Sequence, residues 1–332
     1  MSIELLNFIE TVLNGLMAGI MYSLVALGFV MIFKASGIFN FAQGVMALFA
    51  ALTLVGFQTG QVPFSHLINS LFGTSIHHWL PMPTLLAILL TLVVMVGLAW
   101  LIERLVLRHL VNQEPIILFM ATIGLAYVLE GIGDLMWGSD VKMLDVGLPT
   151  GGSLELEAAT RSWATEGSNY LGMYLDVLDI SAAIVALILV TVLTLFSQYT
   201  GTGRALRAVA DDHQAALSVG LSLRSIWVMV WSVAGFIALV AGIMWGSKSG
   251  VQFSLSLIAL KALPVLILGG FTSIPGAIIG GLIIGVGEKV AEIYVGPLVG
   301  GAIENWFAYV LALVFLLVRP QGLFGEKIIE RV

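Results

Sequence analysis

Long uninterrupted apolar runs are the feature that most restricts how this chain of 332 residues folds. Several of these runs approach or exceed the roughly 20 residues that an α-helix needs to cross the hydrocarbon core of a bilayer. Backbone amides left unpaired in lipid are costly, so a spanning segment must be a helix or part of a closed barrel. A membrane barrel would show short segments of alternating polarity, which these runs do not. The sequence therefore predicts an all-α, polytopic integral membrane protein.

Composition agrees, with 59% hydrophobic and 10% charged residues, whereas soluble domains carry about 25% charged residues. Cysteine is absent, which excludes disulfides and thiolate metal ligands. We predict one transmembrane domain over residues 1–332 with about nine helices, in a range of eight to ten. The apolar runs lie at 10–33, 37–57, 83–107, 115–138, 178–199, 224–246, 255–271, 276–295 and 302–319. The seventh and eighth are short enough to be broken or re-entrant.

The distribution of basic residues predicts the orientation of the helices. If nine helices span and the C-terminus is cytoplasmic, the cytoplasmic segments hold Lys34, Arg104, Arg108, Arg204, Arg207, Arg224, Arg319, Lys327 and Arg331. The external segments then hold Lys142, Arg161 and Lys248. The acidic, turn-rich segment 139–177 becomes an external loop, residues 200–224 become a cytoplasmic loop, and the N-terminus lies outside.

The stretch 203–223 is a polar island between two apolar runs. One helix face there would carry Ala205, Leu206, Val209 and Ala216, and the other Arg204, Arg207, Asp211 and His213. The segment is either an amphipathic connector on the bilayer surface or a helix that docks into a groove of a protein partner. Membrane-surface helices are usually richer in basic residues and bulky apolar anchors. The alanines and the acidic pair Asp211-Asp212 therefore favour docking.

Glycine and proline interrupt the apolar pattern in two regions. One contains Gly269, Gly270, Pro275, Gly276 and Gly280, and the other ends at Gly44. Small residues four apart allow close packing of membrane helices. Glycine and proline can also break a helix beside a permeation path, and the two interpretations are compatible.

Polar residues inside the apolar runs are candidates for contact with a solute. Asn40 and Gln43 are three residues apart, would share a helix face and offer uncharged amide hydrogen bonds. We predict that they line a solute path together with Lys261.

Charged residues at membrane depth are expensive and are usually paired or functional. The set comprises Glu130, Asp134, Lys261, Glu288, Lys289, Glu292 and Glu304. Its acids include two pairs with helical spacing, Glu130 with Asp134 and Glu288 with Glu292. Such pairs would serve a proton relay in a proton-coupled secondary transporter. They would equally suit helix ends among headgroups or a water-filled vestibule, which we favour.

No stretch predicts catalysis or a cofactor site in this chain. The segment Gly242–Ser249 lacks the spacing of a phosphate-binding loop. The histidines between residues 58 and 82 have no carboxylate among them and match no standard metal site. We therefore expect neither an enzyme nor a metal site, and no cofactor bound by this chain.

Four stretches carry a family resemblance. Asn14–Gly44, Gly203–Gly220, Leu260–Gly281 and Arg319–Gly325 resemble, in this order, motifs of the permease subunits of branched-chain amino-acid ABC importers. These are the LivH-like proteins of bacterial inner membranes, and the resemblance extends over nearly the whole chain. It implies a multi-pass permease of the bacterial inner membrane that moves branched-chain amino acids by alternating access, with a periplasmic N-terminus and a cytoplasmic C-terminus.

The resemblance also implies partners. These would be a second related permease or a copy of this chain, two cytoplasmic ABC ATPases that bind ATP and Mg²⁺, and a periplasmic solute-binding protein. The segment 203–223 would form the helix that couples to the ATPases, with Arg204, Ala205, Arg207, Ala208, Asp211, Asp212 and Gly220 as its residues.

Two departures from the family pattern bear on the solute. Gln43 stands where the family usually has histidine, and the segment 139–177 is extended. Similar permeases carry urea, short-chain amides or aromatic acids, so these solutes remain alternatives to branched-chain amino acids.

Overall fold

The computed structural model describes residues 3–73, 79–110, 113–149, 153–155, 174–211 and 223–325. In chain order, its helices are α1 (Ile3–Ser36), α2 (Gln43–Thr59), α3 (Ser65–Phe72), α4 (Thr84–Leu105), α5 (Pro115–Trp137), α6 (Val177–Tyr199), α7 (Gly201–Asp211), α8 (Leu223–Ser249), α9 (Ile258–Gly269), α10 (Ile274–Tyr294), α11 (Gly296–Val299) and α12 (Glu304–Val318). Short 3-10 helices lie at Leu107–His109 and Phe253–Leu257. Strands β1 (Ser153–Glu155) and β2 (Tyr174–Asp176) pair antiparallel within the segment 139–177.

Six helices in the described residues are long and apolar enough to cross a membrane, namely α1, α4, α5, α6, α8 and α10. This confirms a helical, polytopic architecture. The other three predicted runs form the shorter apolar helices α2, α9 and α12, of 17, 12 and 15 residues. At 1.5 Å per residue, α9 is only about 18 Å long against a hydrocarbon core of about 30 Å.

The second run begins its helix later than the sequence predicts. Residues 37–42 are not helical, and α2 starts at Gln43. The chain leaves α1 through Gly37, whose φ of 66° lies in the left-handed region that glycine adopts without strain. The side chain of Asn40 then turns the backbone by accepting a hydrogen bond from the N–H of Ala42 at 3.1 Å.

The eighth run forms one continuous helix of 21 residues rather than a broken one. Pro275 lies in the first turn of α10, where a missing backbone N–H leaves no helical hydrogen bond unmade. Ser273 caps the helix by accepting a hydrogen bond from the N–H of Gly276 at 3.0 Å. Pro275 therefore starts α10 and does not interrupt it.

Helix α1 lies at the centre of the bundle. It packs most extensively against α10 and also contacts α6, α8 and α9. In its most apolar window 72% of the residues are buried, whereas the corresponding share is 22% in α5. Helices α4 and α5 therefore lie at the periphery, where their exposed leucine, valine and isoleucine side chains suit contact with lipid or another apolar surface.

Glycines allow the backbones of α1 and α10 to touch. A Cβ added at Gly15 would lie 2.6 Å from Cα of Val286, and one added at Gly281 would lie 2.6 Å from the carbonyl oxygen of Gly19. A Cβ at Gly285 would overlap the backbone of Gly15. The small residues on each helix therefore form a matched seam in which any side chain would force the helices apart.

A second close approach joins α9 to α10. Gly269 and Gly276 face each other so closely that a Cβ on either would overlap the carbonyl group of the other. A Cβ at Gly280 would lie 2.6 Å from the carbonyl oxygen of Val265. Gly44, at the start of α2, packs in the same manner against the backbone of Ser256.

Candidate functional site

Helix α7 presents one face to the bundle and one to the surroundings. Leu206 and Val209 are buried, with 6% and 0% exposure, whereas Arg204 and Ala208 are exposed. The buried face packs against α6 and α1, so α7 is attached to the central helix of the bundle. Its exposed face combines the charged Arg204 with small residues such as Ala208, which suits docking into a protein groove.

The residues predicted for this helix are described only in part. Ala205 is half-buried, and Arg207 donates a hydrogen bond from Nη2 to the carbonyl oxygen of Gln198 at 3.1 Å. Asp211 is the last residue of α7. Asp212 and Gly220 lie outside the described residues.

The structure brings three sequence motifs together at this end of the bundle. A cavity of about 240 Å³ is lined by Arg207 of α7, by Pro275 at the start of α10 and by Phe324 of the C-terminal segment. The C-terminal segment is held there by two backbone hydrogen bonds, from Leu323 to Leu268 at 2.8 Å and from Phe324 to Gly269 at 3.2 Å. Helix α7 therefore packs against α1 and faces the turn between α9 and α10 across this cavity.

Asn40 and Gln43 belong to a buried polar network next to α8. Gln43 donates from Nε2 to the carbonyl oxygen of Ala234 at 3.2 Å, and Asn40 donates from Nδ2 to Oε1 of Gln43 at 3.4 Å. Both side chains are buried, with 0% exposure for Asn40 and 1% for Gln43. The side chain of Gln43 lies directly over Gly28, where a Cβ would overlap it. Their contact with a solute stays a prediction.

Lys261 lies in an ion network that links α9, α10 and α12. Its Nζ is 2.8 Å from Oε1 of Glu288 and 3.6 Å from Oε1 of Glu304, and Nζ of Lys289 is 3.1 Å from Oε2 of Glu304. The side chain of Glu288 is only 2% exposed, whereas those of Lys261, Lys289 and Glu304 are 29%, 33% and 32% exposed. A charge as buried as Glu288 requires a partner, which Lys261 supplies.

The other acids at membrane depth are in different surroundings. Glu292 accepts backbone hydrogen bonds from Ala302 at 3.1 Å and from Glu304 at 2.8 Å, so it holds the start of α12. Glu130 is half-buried and Asp134 is exposed, both on α5. The two carboxylates of α10 therefore have fixed protein partners, an arrangement that does not favour a proton relay.

The ion network opens into a cavity of about 580 Å³ at the end of the bundle where α1 begins. Six charged side chains line it: Glu10, Asp179, Glu304, Lys248, Lys261 and Lys289. Lys248 and Asp179 form a further ion pair across α8 and α6. The apolar part of the wall includes Tyr22 and Trp245, whose rings stack with centroids 5.9 Å apart.

Sequence reasoning missed most of this cavity, although a signal for it exists. Asn7, Glu10, Thr11 and Asn14 recur at intervals of three and four residues and line one face of α1. A polar stripe on an otherwise apolar helix predicts a polar partner or a water-filled space. Among the described residues, no group of three or more histidine, aspartate or glutamate side chains could hold a metal ion.

Comparison with known proteins identifies relatives over almost the entire chain. Residues 11–319 match the family described as "Branched-chain amino acid transport system / permease component". The high-affinity branched-chain amino acid transport system permease protein LivH of Escherichia coli K12 is 28% identical, with 100% of both chains covered. The corresponding protein BraD of Pseudomonas aeruginosa is 27% identical, with 99% of both chains covered.

A solved structure, PsaBC from Streptococcus pneumoniae in complex with Fab, aligns with 92% of this chain and 89% of that chain. The TM-score is 0.40 and the identity is 12%, and a likeness at this level supports no conclusion about fold or partners.

Proposed function

Because the chain belongs to the permease-component family of branched-chain amino acid transport systems, we propose that it is the membrane-spanning subunit of an ATP-binding-cassette importer for branched-chain amino acids. The match to that family from residue 11 to residue 319 carries the proposal. The glycine seams and the docked α7 support it, since they join the helices into a body that could move as a unit.

The proposed orientation places α7 in the cytoplasm and the mixed-charge cavity on the periplasmic side of a bacterial inner membrane. In this arrangement the N-terminus is periplasmic and the C-terminus is cytoplasmic. Helices α2 and α12, and α9 together with the 3-10 helix Phe253–Leu257, complete nine membrane helices. The excess of Lys and Arg at the α7 end supports it through the positive-inside rule. The acidic segment 139–177 then lies outside as a periplasmic loop.

Energy would reach this subunit from its partners. We propose that two cytoplasmic ATPase subunits bind ATP and Mg²⁺, that this chain binds neither, and that one ATPase docks on the exposed face of α7. A second permease, or a copy of this chain, would complete the membrane part, and a periplasmic binding protein would deliver the solute. The exposed Arg204 and Ala208 support docking, because the opposite face anchors α7 to α1 and α6.

A double substitution on the exposed face tests the coupling role. Arg204→Glu with Ala208→Trp should abolish ATP-dependent uptake in proteoliposomes that contain the complete transporter, because the charge is reversed and the small contact is blocked. Both side chains are exposed, so insertion and folding of the chain should be preserved. Arg108→Glu is the matched control, since Arg108 is exposed and is predicted to lie on the same side.

The measurements are solute uptake and ATP hydrolysis stimulated by the binding protein. The expected result is loss of uptake and of stimulated hydrolysis in the α7 variant, with near-normal values for Arg108→Glu. Uptake by the α7 variant equal to that of the control would contradict the docking role.

A further inference from the structure

The mixed-charge cavity has the size and charge balance of a small-ligand site. Its volume of about 580 Å³ falls within the range of about 300 to 1,000 Å³ that is typical of such sites. Three acidic and three basic side chains line it, so its formal charge is zero while both signs are present. A ligand with a single net charge would gain little from such a wall, whereas a ligand with one charge of each sign could match it.

Charged side chains that line the cavity are held in place by ion pairs, one of them with a buried residue outside the cavity. Glu288 is not among the cavity-lining residues, yet its carboxylate lies 2.8 Å from Nζ of Lys261. It therefore positions the lysine and leaves part of the ammonium group open to the cavity. Glu304 lies between Lys261 and Lys289, at 3.6 Å and 3.1 Å, so one carboxylate is flanked by two ammonium groups.

An apolar surface adjoins these charges. Nζ of Lys261 lies 5.8 Å from the centre of the Tyr22 ring, which in turn stacks on Trp245. Met21 and Ile293 extend the apolar part of the lining. The cavity thus combines fixed charges of both signs with a nearby hydrophobic wall.

We propose that this cavity binds a zwitterionic α-amino acid with an apolar side chain. Lys261 and Lys289 bind the carboxylate, Glu304 binds the ammonium group, and the wall around Tyr22 and Trp245 contacts the side chain. The inference rests on the proposed function. It adds that this chain itself recognises both charged groups of the solute, the carboxylate and the ammonium group. A site whose polar groups must be matched rejects an analogue that lacks one of them.

The natural absence of cysteine allows a direct test on the complete transporter in nanodiscs. Ala18 lines the cavity and is half-buried, so Ala18→Cys places one thiol in the wall with little change in volume. The rate of maleimide labelling of this chain is read by mass spectrometry. Leucine at about ten times its dissociation constant should slow labelling about tenfold, because about one site in eleven remains empty.

Two analogues and one control define the specificity. The analogue 4-methylpentanoate lacks the ammonium group, 3-methylbutylamine lacks the carboxylate, and neither should slow the labelling. Leu298→Cys is the position control, because Leu298 is 82% exposed on α11 at the same end of the bundle and does not line the cavity. Its labelling should not respond to leucine.

Substitutions in the Ala18→Cys background separate the two charges. Glu304→Gln should remove protection by leucine and allow 4-methylpentanoate to protect, because two lysines then face the cavity without that carboxylate. Lys289→Met should weaken protection by leucine several-fold. Lys142→Met is the matched control, since Lys142 donates to Gln61 outside the cavity and its loss should leave protection unchanged.

The possible outcomes distinguish the proposed transport function from the assignment of the cavity as a binding site. ATP-dependent uptake of leucine by the transporter without substitutions tests the proposed function, and its absence, together with leucine protection of the Ala18→Cys variant, would remove that function while the cavity assignment stands. Normal uptake with a labelling rate that is constant up to the solubility limit of leucine would overturn the cavity assignment. Equal protection by leucine and both analogues would also overturn it.

Discussion

Replacing Gly19 by alanine should push apart the two helices at the centre of the bundle. A Cβ at this position would lie 2.5 Å from the carbonyl oxygen of Gly281 and 2.9 Å from Cα of Leu282. Ordinary contact begins at 3.4 Å, so α1 and α10 must separate locally by about 0.9 Å, the difference between 3.4 Å and 2.5 Å. The obstacle is backbone on both helices, so no side chain can rotate away to make room.

The cost follows from that separation. A gap of about 0.5 to 1 Å removes a quarter to a half of the attraction between atoms in contact. Overpacking of a close-packed interior costs about 1 to 3 kcal/mol. The seam includes Gly15 and Gly285, so a local separation at Gly19 disturbs their contacts as well. We expect Gly19→Ala to reduce the free energy of unfolding by an amount in this range.

Gly97→Ala is the matched control. Gly97 lies in the interior of α4, and no atom lies within 4 Å of a Cβ added there. Alanine in a helix interior is more favourable than glycine by about 0.5 to 1 kcal/mol. The two alanine variants should therefore differ in free energy of unfolding by about 1.5 to 4 kcal/mol, with the control above the parent chain.

The assay compares the purified chains in one detergent. Thermal unfolding is followed by circular dichroism, and reversible unfolding by steric trapping gives the free energies. Gly19→Ala should unfold at a lower temperature than the parent and Gly97→Ala at an equal or higher one. If Gly19→Ala matched or exceeded Gly97→Ala in stability, the argument from backbone contact would be refuted.

Two further predictions concern buried polar groups. Gln43→Ala should lower the free energy of unfolding by about 1 to 3 kcal/mol, because the carbonyl of Ala234 and Nδ2 of the buried Asn40 each lose a hydrogen bond, and the same unfolding assay measures this. Lys261→Met should lower the free energy of unfolding by about 3 to 5 kcal/mol, because Glu288 is left charged and buried without its partner. A lower yield of folded chain would show this. Glu288→Gln added to Lys261→Met should restore most of that yield, and no restoration would argue against the pairing.

The sequence by itself determines the class of fold. Apolar runs of spanning length require helices, because lipid offers no hydrogen bonds to the backbone. This requirement is local, and the six long helices lie where the runs predict them. The start of α2 is harder to predict, because residues 37–42 are apolar enough to form a helix. They are not helical because Gly37 and Asn40 form a turn there.

The spacing of glycines is also visible in the sequence, but their partners are not. Gly281 and Gly285 are four apart and therefore share one face of α10. That this face meets Gly15 and Gly19 of α1 depends on how the helices pack, which is a property of the whole bundle. Pro275 is similar, since its position in the first turn of α10 depends on the cap at Ser273.

The charged residues show most clearly which features the sequence determines and which features the packing of the helices decides. Their number at membrane depth follows from the sequence, as does the expectation that they are paired or face water. Only the packing of α9, α10 and α12 decides that Lys261 meets Glu288 and Glu304, because these residues lie on different helices. The same packing opens the cavity beside the polar stripe of α1. Hydropathy and spacing act along the chain and can be read from it, whereas ion pairs and cavities arise between helices and require their arrangement in space.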